Sequence, residues 1–126
     1  RKNSINKEII SWDEHQEWFK MKLAAKEASK IFIFFLENPI GVLRLDKINE
    51  VEIISFSVDK KYRGRGYGFR MINQILNDFP KSNFIADVFG KNESSHKIFI
   101  KNEFKVLENI KKTKVNIVRY QKLKNE

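Results

Sequence analysis

Val58-Asp59-Lys60-Lys61-Tyr62-Arg63-Gly64-Arg65-Gly66-Tyr67-Gly68 joins an apolar, β-branched run to a stretch in which Phe69, Ile72, Leu76 and Phe79 recur at helical spacing. The segment reads as a strand, a basic glycine-rich turn and a helix. Three glycines at alternate positions let the backbone turn tightly and come close to a ligand. The first turn of a helix has unpaired N–H groups and a partial positive charge. Aimed at one point, they bind a phosphate or pyrophosphate. Arg63 and Arg65 add charge-assisted hydrogen bonds. A diphosphate site is therefore predicted where the helix over 66–79 begins. A Walker loop would need Gly-Lys followed by Ser or Thr, which is absent. A dinucleotide fold would need its glycines near the N-terminal strand and an acidic residue after the next strand. Here the glycines follow the third expected strand.

Working outward, the chain reads as helix, three strands, helix, strand, helix, two strands. Ser11 with Glu14 resembles a capping box, and Trp12, Phe19 and Leu23 at helical spacing predict a helix over about 12–27. Lys30 to Glu37 reads as a strand buried on both faces. Asn38-Pro39 marks a turn, Ile40 to Asp46 a second strand, and Glu50 to Val58 a third. Pro80 stops the helix after the glycine loop. Phe84 to Phe89 is a strand, Ser94 to about Asn102 a short helix, and 104–108 with 114–123 a closing hairpin. The implied class is α/β in the mixed α+β sense. It is a single domain with a mixed, mostly antiparallel sheet, a central βαβ crossover and helices on both faces.

Composition limits the alternatives. With 126 residues, one domain is the natural expectation. Eleven Phe and 41% hydrophobic residues supply a core, which argues against disorder. No cysteine is present, which removes disulfides, thiolate metal sites and a thiol nucleophile; no metal is expected. The lack of cysteine suits a reducing compartment. With no membrane-length apolar run and no leader in the sequence, the expectation is cytoplasmic, without a membrane partner. The chain opens at Arg1, as a piece of a longer protein would. The formal charge of +9 favours an anionic partner such as a phosphorylated cofactor or a nucleotide-linked substrate. Nucleic acid is not expected, because the aromatics lie in apolar strands rather than in an exposed stacking row.

Arg63-Gly64-Arg65-Gly66-Tyr67-Gly68 resembles the pyrophosphate motif of the GNAT acetyltransferase superfamily, Gln/Arg-x-x-Gly-x-Gly/Ala. The likeness continues with Asn92, Ser95, Phe99 and Phe104, in the order in which the family shows Asn, a small residue, Tyr and Gly-Phe. Together the two motifs cover roughly residues 30 to 125. The resemblance implies a GNAT-like domain that is an acetyl-CoA-dependent N-acetyltransferase acting on a primary amine. It implies that Phe56, Ser57 and Val58 pair with the pantetheine arm of CoA. It places the pyrophosphate on Arg63, Gly64, Arg65, Gly66, Tyr67 and Gly68, and brings Asn92, Ser95 and Phe99 to the cofactor as well. The family's first strand and helix are expected to be missing, which would open one sheet edge. An open edge invites pairing, so a partner such as a second copy in a homodimer would cover it unless the sequence is truncated.

Acetyl transfer needs a neutral amine, and an alkylamine with a pKa near 10 is mostly charged at pH 7. Glu52, between Val51 and Ile53, is the candidate base, ahead of Glu50. The family's leaving-group acid is often a Tyr at the position of Phe99, and a phenyl ring cannot donate. His15 and Trp18, on the first expected helix, are candidate substrate contacts. The words around Ile10–Phe19 and Ile40–Arg44 are similar to a subgroup that acetylates nucleotide-linked amino sugars, as in the pseudaminic acid pathway. Ribosomal-protein N-terminal acetyltransferases share some of these words. A domain that binds CoA without catalysing is a further alternative.

Overall fold

Eight strands and two α-helices follow in the order β1 (Asn6–Asp13), β2 (Trp18–Lys26), β3 (Ser29–Phe35), β4 (Pro39–Ile48), β5 (Val51–Val58), α1 (Tyr67–Asp78), β6 (Asn83–Phe89), α2 (Glu93–Lys101), β7 (Lys105–Lys112) and β8 (Val115–Lys122). The computed structural model describes residues 6–13, 18–26, 28–112 and 114–124. The strands form one sheet in the order β1-β2-β3-β4-β5-β6-β8-β7. Every pairing is antiparallel except β5 with β6. The mixed sheet and the central βαβ unit are as the sequence predicts.

The region before residue 27 differs from expectation. The helix over 12–27 does not form, and β1 and β2 stand there as a hairpin that extends the sheet past β3. The helical spacing of Trp12, Phe19 and Leu23 coexists with a stricter alternation, Phe19-Lys20-Met21-Lys22-Leu23, which suits a strand. This run pairs with β3, and β1 stands as the outer strand of the described sheet on that side. Lys20 points to the helix-covered face, where it is almost completely buried (1% exposed) and meets Asp78 at 2.7 Å. Its ammonium also lies 5.2 Å from the Phe32 ring centroid.

Both α-helices pack on one face of the sheet. Cross-strand partners share a face, so Phe32, Leu43 and Phe56 belong together, as do Leu45 with Ile54 and Glu52 with Phe84. Against this face α1 buries Gly68, Met71, Ile72 and Ile75. The buried stripe is turned from the expected one, with Phe69, Leu76 and Phe79 only part-buried at its edge. α2 contributes Phe99, which packs with Phe56, Phe104 and Tyr120. β3 is likewise not buried on both sides: Phe32 and Phe34 are fully buried, whereas Ile31, Ile33 and Phe35 are part-buried on the second face. No described helix covers that second face.

Two local features fix the frame. β4 and β5 are joined by Asn49 and Glu50, both at positive φ (50° and 67°), as a tight two-residue hairpin turn requires. Glu50 is thus in the turn and not on the strand. At the other end of β5, the Asp59 amide donates to the Ile40 carbonyl at 2.8 Å and ties the start of the glycine loop to β4.

Candidate functional site

β5 and β6 are paired over three residues only, Val51–Ile53 with Asn83–Ile85. Beyond Ile53 they part. β5 stays paired with β4 as far as Val58, and β6 with β8 as far as Phe89. A wedge therefore opens between two strands that are each held on their outer sides. At its mouth is a cavity of about 480 Å³, lined by β5, the glycine loop, the start of α1 and the outer face of α2.

The glycine loop is built for close approach. A turn of 3-10 helix at Lys60–Tyr62 leads into it. Gly64 and Gly66 have φ of +77° and +86°, and a Cβ on either would meet no atom within 4 Å. Only glycine takes this backbone without cost, and the space it leaves is open cleft. Gly66 is the N-cap of α1 and supplies no side-chain cap. The first intrahelical bond, Arg70 N–H to the Gly66 carbonyl, comes only at the fourth helical residue, and Gly66, Tyr67 and Gly68 before it line the cleft. Gly68 has a different task. A Cβ there would lie 2.7 Å from Ile98 Cδ1 and 3.1 Å from the Phe56 ring. Its bareness lets the start of α1 press against α2 and β5.

The walls are cationic. Arg63 Nε donates to the Val58 carbonyl at 2.9 Å, which folds the guanidinium back over the end of β5. Arg65 lies over the Tyr62 ring at 5.8 Å, and Tyr62 packs edge-on against Tyr67. Lys97 and Lys101, one helical turn apart on α2, complete the opposite wall. They were not predicted from sequence, although their i,i+4 spacing beside Asn92 was the available signal. Asn92 caps α2: its Oδ1 accepts from the Ser95 amide and from Ser94 Oγ, both at 3.2 Å. Asn92 and Ser95 both line the cleft.

Of the residues predicted for the cofactor, the cleft brings together Phe56, Ser57, Val58, Arg63, Gly64, Gly66, Tyr67, Gly68, Asn92 and Ser95. Arg65 is outside the lining, on Tyr62. Phe99 is also outside it, 2% exposed behind Phe56. Glu52 does not line the cleft either. It lies one residue below the point where β5 and β6 part, buried at 5% exposure, with Oε2 3.3 Å from Lys30 Nζ. Its Oε1 has no hydrogen-bond partner among the described residues. His15 falls outside the described residues. Trp18 opens β2 rather than lying on a helix, and its side chain is outside what is described. No described helix is long and apolar enough to cross a membrane.

The sequence profile of the acetyltransferase (GNAT) family matches residues 3–104, and the chain belongs to that family. No curated protein sequence matches it significantly. Among solved structures it is similar to a ribosomal-protein alpha-N-acetyltransferase in complex with coenzyme A, with a TM-score of 0.71 and 16% identity over 76% of this chain and 62% of that one. It is similar to a ribosomal-protein alanine acetyltransferase from Vibrio fischeri, with a TM-score of 0.70 and 17% identity over 79% and 63%. It is also similar to mutant forms of a spermidine/spermine N-acetyltransferase from Vibrio cholerae, with a TM-score of 0.70 and 17% identity over 79% and 69%. The chain thus spans less than two thirds of the length of the first two. At these identities the likeness establishes the shared fold.

Proposed function

We propose that this chain transfers an acetyl group from acetyl-CoA to a primary amine. The observation that carries the reading is the wedge between β5 and β6, closed at its mouth by Gly64 and Gly66 at positive φ over open space. The pyrophosphate would take the amides at the start of α1, with Arg63 and the lysines of α2 neutralising its charge. The pantetheine arm would run down β5 past Ser57 and Phe56, with the Asn92 amide as donor on the other wall. Bound there, acetyl-CoA supplies an activated acyl group as a thioester; the protein holds it and manages protons.

Glu52 is our proposed base, acting through water. Its support is its place at the root of the wedge and the unpartnered Oε1. Along β5 it lies six residues from Val58, about 20 Å at the usual rise, so it belongs to the acyl end of the cofactor and not to the pyrophosphate end. For the acceptor we propose an amine on an anionic carrier, of which a nucleotide-linked amino sugar is an example. The net charge of +9 and the cationic cleft support it. Phe99 favours one other reading, a domain that binds CoA without turning it over. Free-thiol release from acetyl-CoA with nucleotide-linked amino sugars, peptides and polyamines separates the two. Release with at least one amine supports transfer; a cofactor-dependent rise in melting temperature with no release from any amine favours the binding domain. Absence of both effects would remove CoA from the account.

A further inference from the structure

A second cavity, of about 560 Å³, is larger than the cleft of about 480 Å³. We propose that it binds a nucleoside monophosphate. Glu103 takes the sugar hydroxyls, Lys101, Lys122 and Lys124 surround the phosphate, and Asn73 and Asn77 meet the base. The cavity lies between the second half of α1, the end of α2 and the end of β8. Asn77 on its wall is about 16 Å along α1 from the glycine turn at Gly66. The site is therefore apart from the diphosphate end of the cleft, and its volume is that of a small-molecule pocket.

Glu103 marks the cavity as more than a gap in the packing. Its φ is +68°. At the end of α2 the Phe104 amide donates to the Phe99 carbonyl at 3.0 Å, and the Glu103 amide to the Ile100 carbonyl at 2.9 Å. A helix that ends in this way holds the residue after its C-cap in left-handed backbone, and glycine is the usual occupant. In the acetyltransferase motif that occupant is the Gly of Gly-Phe; here it is Glu103, before Phe104. The other described non-glycine residues at positive φ, Asn49 and Glu50, make the β4–β5 turn. Left-handed backbone is unfavourable for an L side chain, and residues held in it cluster at ligand clamps and active sites. What the substitution brings is a carboxylate on the cavity wall. That carboxylate has no hydrogen-bond or ionic partner among the described residues, and neither do the ammonium groups of Lys101 and Lys124. Opposite charges thus surround one cavity without meeting each other.

The chemistry of the wall selects the ligand. Three lysines against one carboxylate leave the cavity cationic, which suits a phosphate monoester of charge about −1.5 to −2. A carboxylate only accepts hydrogen bonds. The vicinal hydroxyls of a sugar donate two without adding positive charge beside the lysines. Asn102, 4% exposed, donates from Nδ2 to the carbonyls of Phe69 and Ile98 at 3.3 Å and 3.1 Å. Its Oδ1 accepts from Asn73 Nδ2 at 3.3 Å, and Asn73 Oδ1 accepts from Asn77 Nδ2 at 3.3 Å. Carbonyls only accept, so the buried end fixes the orientation of the whole row. Asn73 and Asn77 each keep a second N–H, and the Asn77 oxygen is open, which matches the mixed donor and acceptor edge of a nucleobase. The buried Phe84 ring, with Leu76 and Phe79, supplies an apolar floor for its flat face. Phe69 and Lys101 line both cavities. A nucleotide here and a cofactor diphosphate in the cleft share one ammonium, and each weakens the other.

The test is isothermal titration calorimetry on the full chain with AMP and UMP as probes, alone and with saturating acetyl-CoA. At least one of the two should bind with a Kd below about 100 μM, and ribose 5-phosphate and inorganic phosphate at least about tenfold more weakly. Acetyl-CoA should weaken the nucleotide by about two- to tenfold without displacing it. Glu103→Gly removes the carboxylate and relaxes the backbone together. It should melt no lower than wild type, keep the acetyl-CoA-induced thermal shift and weaken the nucleotide at least about tenfold. Gly66→Ala should do the reverse, losing the acetyl-CoA shift and keeping the nucleotide within about threefold. Several results would overturn the site: no binding of either nucleotide at about 1 mM, inorganic phosphate binding as tightly as they do, or full displacement by acetyl-CoA. Nucleotide affinity unchanged in Glu103→Gly, or lost in Gly66→Ala, would overturn it as well. A chain that binds the nucleotide and ignores acetyl-CoA removes the cofactor reading and leaves this site standing.

Discussion

Replacing Gly66 by alanine tests whether the positive-φ turn is the cofactor's anchor. In the unliganded protein the added methyl meets nothing within 4 Å, so no clash arises. What it costs is conformation: φ of +86° is left-handed backbone, worth about 1–2 kcal/mol against an L side chain. For a domain of this size that is a fall in Tm of about 4–8 °C. The effect on the ligand is separable from this. At 100 times Kd a ligand adds about 2.7 kcal/mol of stability, and a tenfold weaker Kd leaves about 1.4 kcal/mol at the same concentration. A methyl set where the pyrophosphate approaches should weaken binding at least about tenfold, so the acetyl-CoA-induced rise in Tm should fall to half or less of wild type. Gly90→Ala is the control. Gly90 is outside the cleft lining, and its Cβ would only touch Asn116 at 3.3 Å. It should keep the full ligand-induced shift. Differential scanning fluorimetry on the three proteins, with and without acetyl-CoA, gives both numbers. If Gly66→Ala loses a few degrees of Tm and still shows the full shift, the cofactor does not sit on this turn.

Other consequences are open to the same kinds of measurement. Asp78→Asn leaves the Lys20 ammonium at 1% exposure without its partner at 2.7 Å, so it should destabilise by about 2–4 kcal/mol; Lys20→Met leaves only a part-exposed Asp78 and should cost under about 1 kcal/mol. Urea titration that ranks the two the other way would contradict the burial of Lys20. Gly41→Ala should destabilise by about 1–3 kcal/mol, because its Cβ would lie 2.9 Å from the Ser57 carbonyl oxygen and 2.7 Å from Met71 Sδ; a variant that melts like wild type would rule out that approach of β4 to α1. Tyr120 has its pKa raised by burial, so above the unfolded value near 10 the unfolded state holds fewer protons than the folded one, and stability falls as pH rises. Equilibrium unfolding in Tyr120→Phe should show a shallower loss over that alkaline range. Glu52→Gln should keep the acetyl-CoA-induced thermal shift and lower kcat by about 10²-fold or more; an unchanged rate would remove it as base.

The βαβ unit was legible because three signals agree there: a β-branched run, glycines at alternate positions and a helical apolar spacing ended by Pro80. Asn92 was legible through the family resemblance alone; that it caps α2 is seen only in the structure. The hairpin of β1 and β2 was not. Trp12, Phe19 and Leu23 satisfy a helical period, and the competing alternation places lysines at 20 and 22 on the core face, where a polar residue argues against burial. Lys20 is buried all the same, because Asp78 at the end of α1 waits for it. That partner is 58 positions away in sequence, beyond any local pattern. The contact of Tyr120 with Phe99 and His96 was hidden for the same reason, and only the sheet order that puts β8 beside β6 brings it about.

The wedge itself follows from how the two central strands divide their bonds. β5 is paired with β4 from Val51 to Val58, and β6 with β8 from Phe84 to Phe89, so neither is free to turn toward the other beyond Ile53. The inner edge of β5 then has peptide groups with no strand to meet them, while Phe56 and Phe99 close the space on the helix side. Peptide groups away from bulk water need partners, and a strand edge offers them in an extended row. A linear ligand with amides of its own satisfies that row as another strand would, and a diphosphate at its end meets the glycine turn where β5 stops. The pantetheine diphosphate of CoA has both parts in that order. The fold therefore selects for a ligand of this shape before any side chain is considered, and the side chains that differ from the family pattern, Phe99 above all, bear on the fate of the thioester rather than on its binding.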